Sequence, residues 1–372
     1  MKSRLFFLSI FICINLYSQG TYVFLGSFNR DKTQDGIYVY ELDTVNGNLL
    51  PITSINNLSN PSFLTLSPNG KYLFACTESK TPHAGSVSSF EFKPENKTLT
   101  FINSQPSGGE NPVYLTVHKE GKWLINGNYT EGSVSVYPIS ETGTIDSMVQ
   151  NFQFLEGSIH PQRQDRSHIH ATVFSPSFDY LFLPDLGADK IRSYEFNGEK
   201  EKPLALEEQQ TIQTTPGSGP RHFTFSPNQQ FAYCIEELSG TISVYSYENG
   251  KLDAIQRVKT HSKKQKQNFE SSDLHISPDG KFLYASNRGF ENSIAIFSIQ
   301  NNGKLTPIGY QSTFGEHPRT FALDESGKFI IVTNVVSGNV VVFRRNNTTG
   351  LLTRVGTELN INNVSCVQIR AY

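Results

Sequence analysis

Short runs of alternating apolar and polar residues, separated by turn residues, recur along the whole chain. In the clearest example, an apolar run at residues 63–66 leads into Ser-Pro-Asn-Gly at 67–70, and a second apolar run follows at 72–76. Proline presets φ for such a turn, and glycine accepts a positive φ. The segment therefore predicts a strand, a tight turn and a second strand.

The same pattern returns five more times. The residues that precede the turns lie 51, 57, 51, 51 and 47 positions apart, and they are Ser67, His118, Ser175, Ser226, Ser277 and Asp324. Each copy continues with a glycine or polar turn, an alternating strand and a shorter, more polar strand, as at residues 240–252. Four strands in a repeat of about 50 residues are typical of a β-propeller blade.

The two ends of the chain supply one further blade. Residues 21–26 and 36–40 match the second and third strands of a repeat, whereas residues 364–369 match a first strand. We therefore predict an all-β, seven-bladed β-propeller with four-stranded blades, in which the C-terminal strand joins the N-terminal blade and closes the ring. Closure leaves no exposed sheet edge. Residues 20–372 are expected to form this single domain.

Residues 1–19 have the pattern of a secretory signal peptide. Lys2 and Arg4 precede an apolar run at residues 5–16, which is shorter than the roughly 20 residues of a membrane-spanning helix. We therefore expect a secreted or periplasmic protein that has no membrane contact after cleavage. A lipoprotein anchored through Cys13 and an uncleaved anchor are the alternatives.

Composition narrows the classes of function. The 372 residues carry 32 Lys+Arg against 34 Asp+Glu, a formal net charge of -2, which excludes a basic nucleic-acid surface as the main feature. The lysine-rich stretch at 261–267 is interpreted as a solvated connection, with anion binding as its alternative. Cys76, Cys234 and Cys366 stand in apolar, strand-like stretches and predict buried thiols rather than disulfides or metal ligands. The sequence identifies no protein partner.

The repeats differ at two positions, and these differences predict a site. Five residues before the turn, three copies carry His170, Arg221 and Arg319, where others have serine or valine. Eleven residues after the turn, the copies include Glu237 and Arg288. Because the inner strand begins where its antiparallel neighbour ends, both sets should ring one mouth of the central channel. Guanidiniums with a carboxylate and an imidazole suit a small anionic ligand, and a structural ion-pair network is the alternative.

The longest spacing, 57, contains an insertion at residues 157–167, directly before His168-Ile169-His170. Long loops in compact β folds tend to be functional. Two histidines one residue apart on a strand share a face, so a metal site is one interpretation. No second cluster of Cys, Asp or Glu at ligand spacing accompanies them, and we predict neither a metal nor a cofactor.

A set of polar segments, spread over the chain after the leader, is specific in combination. The segments are Arg163-Gln164, His168-Ile169-His170, Asp185-Leu186-Gly187-Ala188-Asp189, Gly219-Pro220-Arg221-His222, Glu237-Leu238-Ser239-Gly240, Ser286-Asn287-Arg288-Gly289 and His317-Pro318-Arg319. Together they resemble the seven-bladed propeller lactonase family, which includes the propeller-type 6-phosphogluconolactonases and the fungal 3-carboxy-cis,cis-muconate lactonizing enzyme.

The resemblance implies a set of site residues around the channel mouth. The implied catalytic residues are His170, Arg221, Glu237 and Arg288. The predicted substrate-binding residues are His168, His222, Arg319, Asn287 and Gln164.

The implied reaction is hydrolysis of a sugar-acid lactone, such as conversion of 6-phospho-D-glucono-1,5-lactone and water to 6-phosphogluconate. Glu237 would activate water as general base and His170 would donate or relay a proton, but the sequence leaves open which of the two is acid and which is base. Arg221 and Arg288 would hold the anionic group and the developing oxyanion. The expected partner is thus a small anionic sugar lactone.

Two departures from the family pattern bear on this expectation. Glu236 stands directly before Glu237, where the family usually has a neutral residue, and a like charge can raise a pKa. Strand alternation should nevertheless point the two side chains to opposite faces. A leader is at odds with a phosphorylated intracellular substrate. A secreted propeller that binds a ligand without turnover and a cycloisomerase of muconate-type diacids are the alternatives.

Overall fold

Twenty-eight β-strands make up the regular structure of residues 20–372, the part of the chain that the computed structural model describes. They form seven antiparallel sheets of four strands each, with one sheet for each blade. The predicted seven-bladed propeller is thereby confirmed. The leader predicted at residues 1–19, with Cys13, lies outside the described residues. Between residues 20 and 372 the structure has no helix that is long and apolar enough to cross a membrane.

Apart from the closing strand, the first four blades are formed by residues 21–213. In chain order their strands are β1 (Thr21–Ser27), β2 (Ile37–Leu42), β3 (Leu49–Ile55), β4 (Phe63–Leu66), β5 (Tyr72–Thr77), β6 (Ser86–Lys93), β7 (Thr98–Pro106), β8 (Pro112–Val117), β9 (Trp123–Asn128), β10 (Ser133–Pro138), β11 (Gln150–Gln153), β12 (Val173–Phe174), β13 (Tyr180–Asp185), β14 (Lys190–Phe196) and β15 (Leu204–Gln213).

The last three blades and the closing strand follow. Their strands are β16 (Pro220–Phe225), β17 (Phe231–Glu236), β18 (Thr241–Glu248), β19 (Lys251–Lys259), β20 (Ser271–Ile276), β21 (Phe282–Asn287), β22 (Ser293–Ile299), β23 (Leu305–Ser312), β24 (Pro318–Leu323), β25 (Phe329–Asn334), β26 (Asn339–Arg345), β27 (Leu352–Asn360) and β28 (Val364–Ala371).

The C-terminal strand closes the ring as the sequence predicts. Strand β28 pairs antiparallel with β1, with Leu25 opposite Val367, and becomes the innermost strand of blade 1. In every other blade the innermost strand is the first in sequence. We call the end of the channel where these inner strands begin the mouth, and the opposite end, which holds the Ser-Pro turns, the far end.

The far-end turns are held by side chains that the repeat supplies. Ser67 Oγ donates to Asn69 Oδ1 at 2.7 Å and accepts the backbone N–H of Tyr72 at 2.9 Å. The same two bonds recur at Ser226 and at Ser277. Serine and asparagine are favoured in turns because they bond the nearby backbone in this way.

Neighbouring blades interlock at the far end through glycine turns and aromatic rings. Gly303, between β22 and β23, has φ +79° and lies so close to the ring of Phe231 that a Cβ would overlap it. The hydroxyl of Tyr233 donates to the Gly303 carbonyl at 2.9 Å. A Cβ at Gly350 would likewise overlap the ring of Phe282 in the preceding blade. Apolar clusters between the sheets complete the core, and Cys76, Cys234 and Cys366 are buried in the sheets as predicted.

Blade 4 departs from the repeat. Its inner strand, β12, has only two residues, so the two histidines expected on a strand stand before it, where Ile169 forms an isolated bridge to Asp185. Asp185 Oδ1 accepts the backbone N–H of His168 at 2.8 Å. A Cβ at Gly187 would overlap the carbonyl of Arg166, so only glycine lets the insertion lie this close to the β13–β14 turn. The insertion is thereby fastened beside the mouth.

Candidate active site

A buried carboxylate surrounded by three guanidiniums lies at the mouth. Glu237 directly follows β17; its Oε1 lies 2.5 Å from Arg163 Nη2, and its Oε2 lies 2.8 Å from Arg221 Nε and 2.9 Å from Arg288 Nη2. The side chain of Glu237 is 3% exposed. Burial raises the pKa of Glu237, but Arg288, Arg163 and Arg221 outweigh it and hold the pKa well below its usual range. The carboxylate is therefore ionised.

Arg221 is completely buried, and one of its guanidinium nitrogens has no hydrogen-bond partner among the described residues. Its Nε binds Glu237. Its Nη1 donates to the Ser272 carbonyl at 2.6 Å and to His222 Nε2 at 3.0 Å. Its Nη2 is buried and bonds no other described residue. Burial, together with Arg319 and Arg288, lowers the pKa of Arg221 to about 9. Because Glu237 is shared with two other guanidiniums, a further anion beside Arg221 would be favourable.

His222 belongs to a polar chain that runs along the channel. Its Nδ1 lies 2.7 Å from Asp273 Oδ1, and His275 Nε2 lies 3.1 Å from Asp273 Oδ2. Burial and Arg221 lower the pKa of His222 to about 4, so the ring is neutral. Because Arg221 donates to Nε2, the hydrogen-bond network assigns the proton to Nδ1, where it is donated to Asp273. Asp273 thus fixes the His222 tautomer in which Nε2 accepts the hydrogen bond from Arg221.

His170 is a neutral imidazole without a hydrogen bond. Neither ring nitrogen bonds another residue between 20 and 372, and Nδ1 is buried. The ring lies 5.4 Å from the ring of Tyr129 and 5.4 Å from that of His222. Burial, Arg221 and His222 hold the pKa of His170 well below its usual value. A free, neutral imidazole in a polar mouth can accept a proton from water.

His168 forms part of the wall beside this imidazole. It stacks on Tyr129 with ring centroids 4.3 Å apart, and its Nδ1 lies 2.8 Å from the Tyr129 carbonyl oxygen. Asp165 lies 3.5 Å from its Nε2. Arg163 Nη2 also contacts the Tyr129 hydroxyl at 3.3 Å, so the insertion and blade 3 meet around this ring.

Arg319 and His317 complete the mouth on the side of blade 7. His317 Nε2 lies 3.3 Å from Arg288 Nη1, and burial and Arg288 lower the pKa of His317 to about 3. Arg319 is half-buried, and its guanidinium bonds no other described residue. Arg163, Arg221 and Arg288 bind Glu237, and Arg319 adds a fourth guanidinium that pairs with no described carboxylate. The mouth therefore carries a local excess of positive charge.

Two predicted substrate-binding residues are occupied elsewhere. Gln164 Nε2 donates to the Leu186 carbonyl at 2.8 Å, and its Oε1 accepts the backbone N–H of His160 at 3.0 Å. Asn287 Nδ2 donates to the Thr260 carbonyl at 2.8 Å, and its Oδ1 accepts from Ser271. Both amides are buried, and the protein engages the nitrogen and the oxygen of each, so they hold the local backbone. Their role in substrate binding stays a prediction.

The predicted alternation around Glu237 is found. Glu236 points into the blade, where Arg257 Nε lies 2.7 Å from its Oε2 and Ser243 donates to its Oε1 at 2.9 Å. The two adjacent carboxylates therefore have separate partners on opposite faces of the strand end. This leaves Glu237 alone among the guanidiniums.

The sequence analysis missed Arg163, Asp273 and His317 as site residues. Arg163 lies next to the predicted Gln164, and the unusual length of its insertion was the available signal. Asp273 stands four residues before the turn, the position that His222 holds in the preceding repeat. Within residues 20–372 no three His, Cys, Asp or Glu side chains gather in a way that could hold a metal ion.

The fold and this site define a seven-bladed propeller with an arginine-lined mouth. The family model of the 7-bladed beta-propeller lactonases matches residues 22–369, so the chain belongs to that lactonase family, as the resemblance predicts. It is 44% identical over 94% of its length to a 6-phosphogluconolactonase of Formosa agariphila and covers 99% of that protein. It is 32% identical to the 6-phosphogluconolactonase of Bacillus subtilis, covering 93% of this chain and 97% of the relative.

A solved structure gives the same result in three dimensions. The periplasmic gluconolactonase of Pseudomonas aeruginosa superimposes with a TM-score of 0.87 at 32% identity. The match covers 94% of this chain and 99% of that one. The similarity therefore includes all seven blades and the mouth that they enclose.

Proposed function

We propose that this chain is a lactonase that hydrolyses the lactone of an anionic sugar acid, as 6-phosphogluconolactonases do. The names of its relatives support enzymatic lactone hydrolysis. The observation that carries the proposal is the arrangement at the mouth, where three guanidiniums bind one carboxylate and a fourth, that of Arg319, pairs with no described carboxylate. The neutral imidazole of His170 stands beside them with no hydrogen bond to another described residue. Guanidiniums recognise carboxylate and phosphate, and the imidazole supplies a place for a proton.

In the proposed reaction, His170 takes a proton from water as the water oxygen attacks the lactone carbonyl carbon. The free Nη2 of Arg221 donates to the carbonyl oxygen as negative charge develops there. The ring C–O bond then breaks, and the departing alkoxide receives the proton from His170. The product is the open-chain acid.

The geometry favours His170 over Glu237 as the base. Both oxygens of Glu237 are engaged by guanidiniums, and a carboxylate whose pKa is held well below its usual range is a weak base. Burial lowers the pKa of His170 most, and Arg221, His222 and Arg319 lower it further. An anionic substrate that neutralises the two guanidiniums removes their share and therefore raises this pKa. Glu237 acts instead by holding Arg163, Arg221 and Arg288 in position.

The experiment is a lactone panel on purified protein without residues 1–19, with the spontaneous hydrolysis rate subtracted. Glu237→Gln keeps the shape but loses the charge that orients the guanidiniums, and we expect kcat/KM to fall by about 100-fold. Glu236→Gln is the matched control because its partner, Arg257, lies inside the blade. It should lower thermal stability and leave turnover per folded molecule unchanged. Equal rates for Glu237→Gln and wild type would refute the assignment.

The proposal also places the enzyme outside the cytoplasm. The leader-like pattern of residues 1–19 supports this location, and so does the periplasmic protein among the structural neighbours. N-terminal sequencing of protein from cell fractions tests it, with a mature chain starting near residue 20 as the expected result. A full-length chain in the cytosol would contradict the proposal, and a full-length chain in the membrane fraction would indicate the uncleaved anchor.

A further inference from the structure

Two cations share one aromatic ring on the side of the mouth opposite Glu237. Lys80 Nζ lies 3.7 Å from the ring centroid of Phe28, and Arg319 Cζ lies 5.3 Å from the same centroid. Phe28 follows β1, Lys80 follows β5 and Arg319 belongs to β24, so blades 1, 2 and 7 each contribute one side chain. The sequence analysis named Arg319 but neither Lys80 nor Phe28 as a site residue.

The two cations have no carboxylate within ion-pair distance among the described residues. Within residues 20–372 neither Lys80 nor Arg319 forms an ion pair or a side-chain hydrogen bond. Desolvation, Arg319, Arg288 and Arg30 together lower the pKa of Lys80 to about 8. Desolvation and Arg288 lower the pKa of Arg319 to about 10. Like charges that are held together in this way disfavour each other unless an anion lies between them.

Neighbouring side chains hold the backbone of both cationic residues in place. Asn111 Oδ1 accepts the backbone N–H of Lys80 at 3.0 Å, and Arg30 Nη2 donates to the Lys80 carbonyl at 3.2 Å. Ser272 Oγ donates to the Arg319 carbonyl at 2.6 Å. The positions of both residues are thus set by hydrogen bonds to their own backbone, while the charged ends stay free for a ligand.

We propose that Lys80 and Arg319, held against Phe28, form an anion subsite that binds a terminal oxyanion of the substrate, phosphate or carboxylate, remote from the lactone carbonyl. The subsite rests on the proposed lactonase function and extends it to the substrate class. Glu237, His170 and the free donor of Arg221 lie toward blades 4 to 6, whereas the subsite lies toward blades 7, 1 and 2. A sugar-acid lactone with a charged group at its far end can therefore engage both sides of the mouth.

The test compares Lys80→Met with the wild type on three lactones. These are 6-phosphogluconolactone, the lactone of a sugar diacid with a free terminal carboxylate, and glucono-δ-lactone, which has no terminal charge. Loss of a charge-assisted hydrogen bond should raise KM for the lactone with the matching oxyanion by about tenfold or more. Its kcat and the kinetics on glucono-δ-lactone should change little. The charged lactone that loses more identifies the oxyanion.

Lys119→Met is the matched control. Lys119 also lies over a phenylalanine ring, 5.6 Å from the centroid of Phe178, but at the far end of the ring of blades. It should leave all three lactones unaffected. Equal changes on all three lactones in Lys80→Met, or no change on any of them, would overturn the subsite.

A separate measurement keeps the subsite testable if the proposed function fails. If the wild type hydrolyses none of the lactones, the lactonase proposal is wrong, and calorimetric titration with 6-phosphogluconate and with glucarate decides about the subsite. Weaker binding in Lys80→Met but not in Lys119→Met would support it. Equal affinities in the wild type and both variants, or no binding to any of them, would overturn it.

Discussion

At the far end of the ring, four of the six turns carry serine at the equivalent position and make the same contact. Ser67, Ser226 and Ser277 each accept the backbone N–H of the following strand, at 2.9, 3.0 and 3.1 Å. At the mouth, equivalent positions have diverged. Ser62 donates to Ser79, whereas Arg221, which stands at the same place in its blade, bonds Glu237.

The difference separates what holds the fold from what performs chemistry. Each far-end serine turn closes one pair of strands, so a change there removes a local bond from its own blade alone. The mouth positions close no turn, and a guanidinium buried there gains nothing for folding unless an anion compensates it. Three of them around Glu237, with Arg319 beside them, carry more positive charge than one carboxylate compensates, and this supports the proposed anionic ligand.

The largest effect should follow from removing the free imidazole at the mouth. We expect His170→Ala to lower kcat by 10²–10⁴-fold, the usual contribution of a general base. Because the substitution leaves a cavity, added imidazole should restore part of the rate. Among substituted imidazoles of similar size, the rescued rate should rise with the pKa of the added base.

The reverse assignment makes a distinct prediction. If Glu237 is the base, Glu237→Ala should be rescued by formate, whereas His170→Ala should show no rescue that depends on imidazole pKa. Steady-state rates with the spontaneous background subtracted separate the two cases. Such a result would keep the role of the arginine cluster but make Glu237, rather than His170, the group that accepts the proton from water.

The propeller ring could be predicted from the sequence because each of its turns is specified by residues that are neighbours in the chain. A turn such as Ser277 to Gly280 specifies its own geometry within four residues, and six copies set the number of blades once the chain ends are joined. The mouth residues His170, Arg221, Glu237 and Arg288 were also found, since aligned repeats place them at equivalent ends of strands. Neither inference requires knowledge of a side-chain rotamer.

The remaining site residues depend on contacts that repeats do not encode. Arg163 belongs to an insertion with no counterpart in another blade, so no alignment could place it 2.5 Å from Glu237. The sequence pointed to Gln164 instead of Arg163, but the buried Gln164 amide donates to the Leu186 carbonyl. Asp273 could have been found by comparing one further position of the repeat, where it faces His222 across adjacent inner strands.

The next largest effect should come from the far end, as loss of stability without loss of chemistry. Gly303→Ala places a Cβ against Phe231 at a residue whose φ is +79°. Overpacking and the left-handed backbone together should cost about 3 kcal/mol. Gly280→Ala is the matched control, because its φ is +69° but a Cβ there would meet nothing closer than 3.7 Å. It should cost about 1 kcal/mol.

Denaturant unfolding measures both costs, and kcat on the folded fraction should stay at the wild-type value in both variants. Equal losses of stability in the two variants would show that the backbone alone limits these turns. A fall in kcat for Gly303→Ala would show that the two ends of the channel are coupled. The far end would then affect the chemistry as well as the stability of the fold.

The smallest effect concerns the pH dependence of stability that the mouth imposes. His222 faces Arg221, Asp273, His170 and Arg319, and its pKa in the folded protein is about 4, against about 6.5 in an unfolded chain. Between these values the unfolded state binds the additional proton, so stability falls as the pH falls. From pH 6 to pH 4.5 this single group should remove about 2 kcal/mol.

The comparison of His222→Gln with the wild type isolates this contribution, because His170 and His317 titrate in both proteins. Unfolding free energies at pH 6 and pH 4.5 should differ by about 2 kcal/mol less in the variant. His83→Gln, at a histidine whose side chain is 96% exposed, should retain the wild-type slope. An unchanged slope in His222→Gln would mean that Asp273 keeps this ring protonated in the folded state. Arg221 would then face a second cation rather than a lone pair, and its orientation would depend on Glu237 and the Ser272 carbonyl alone.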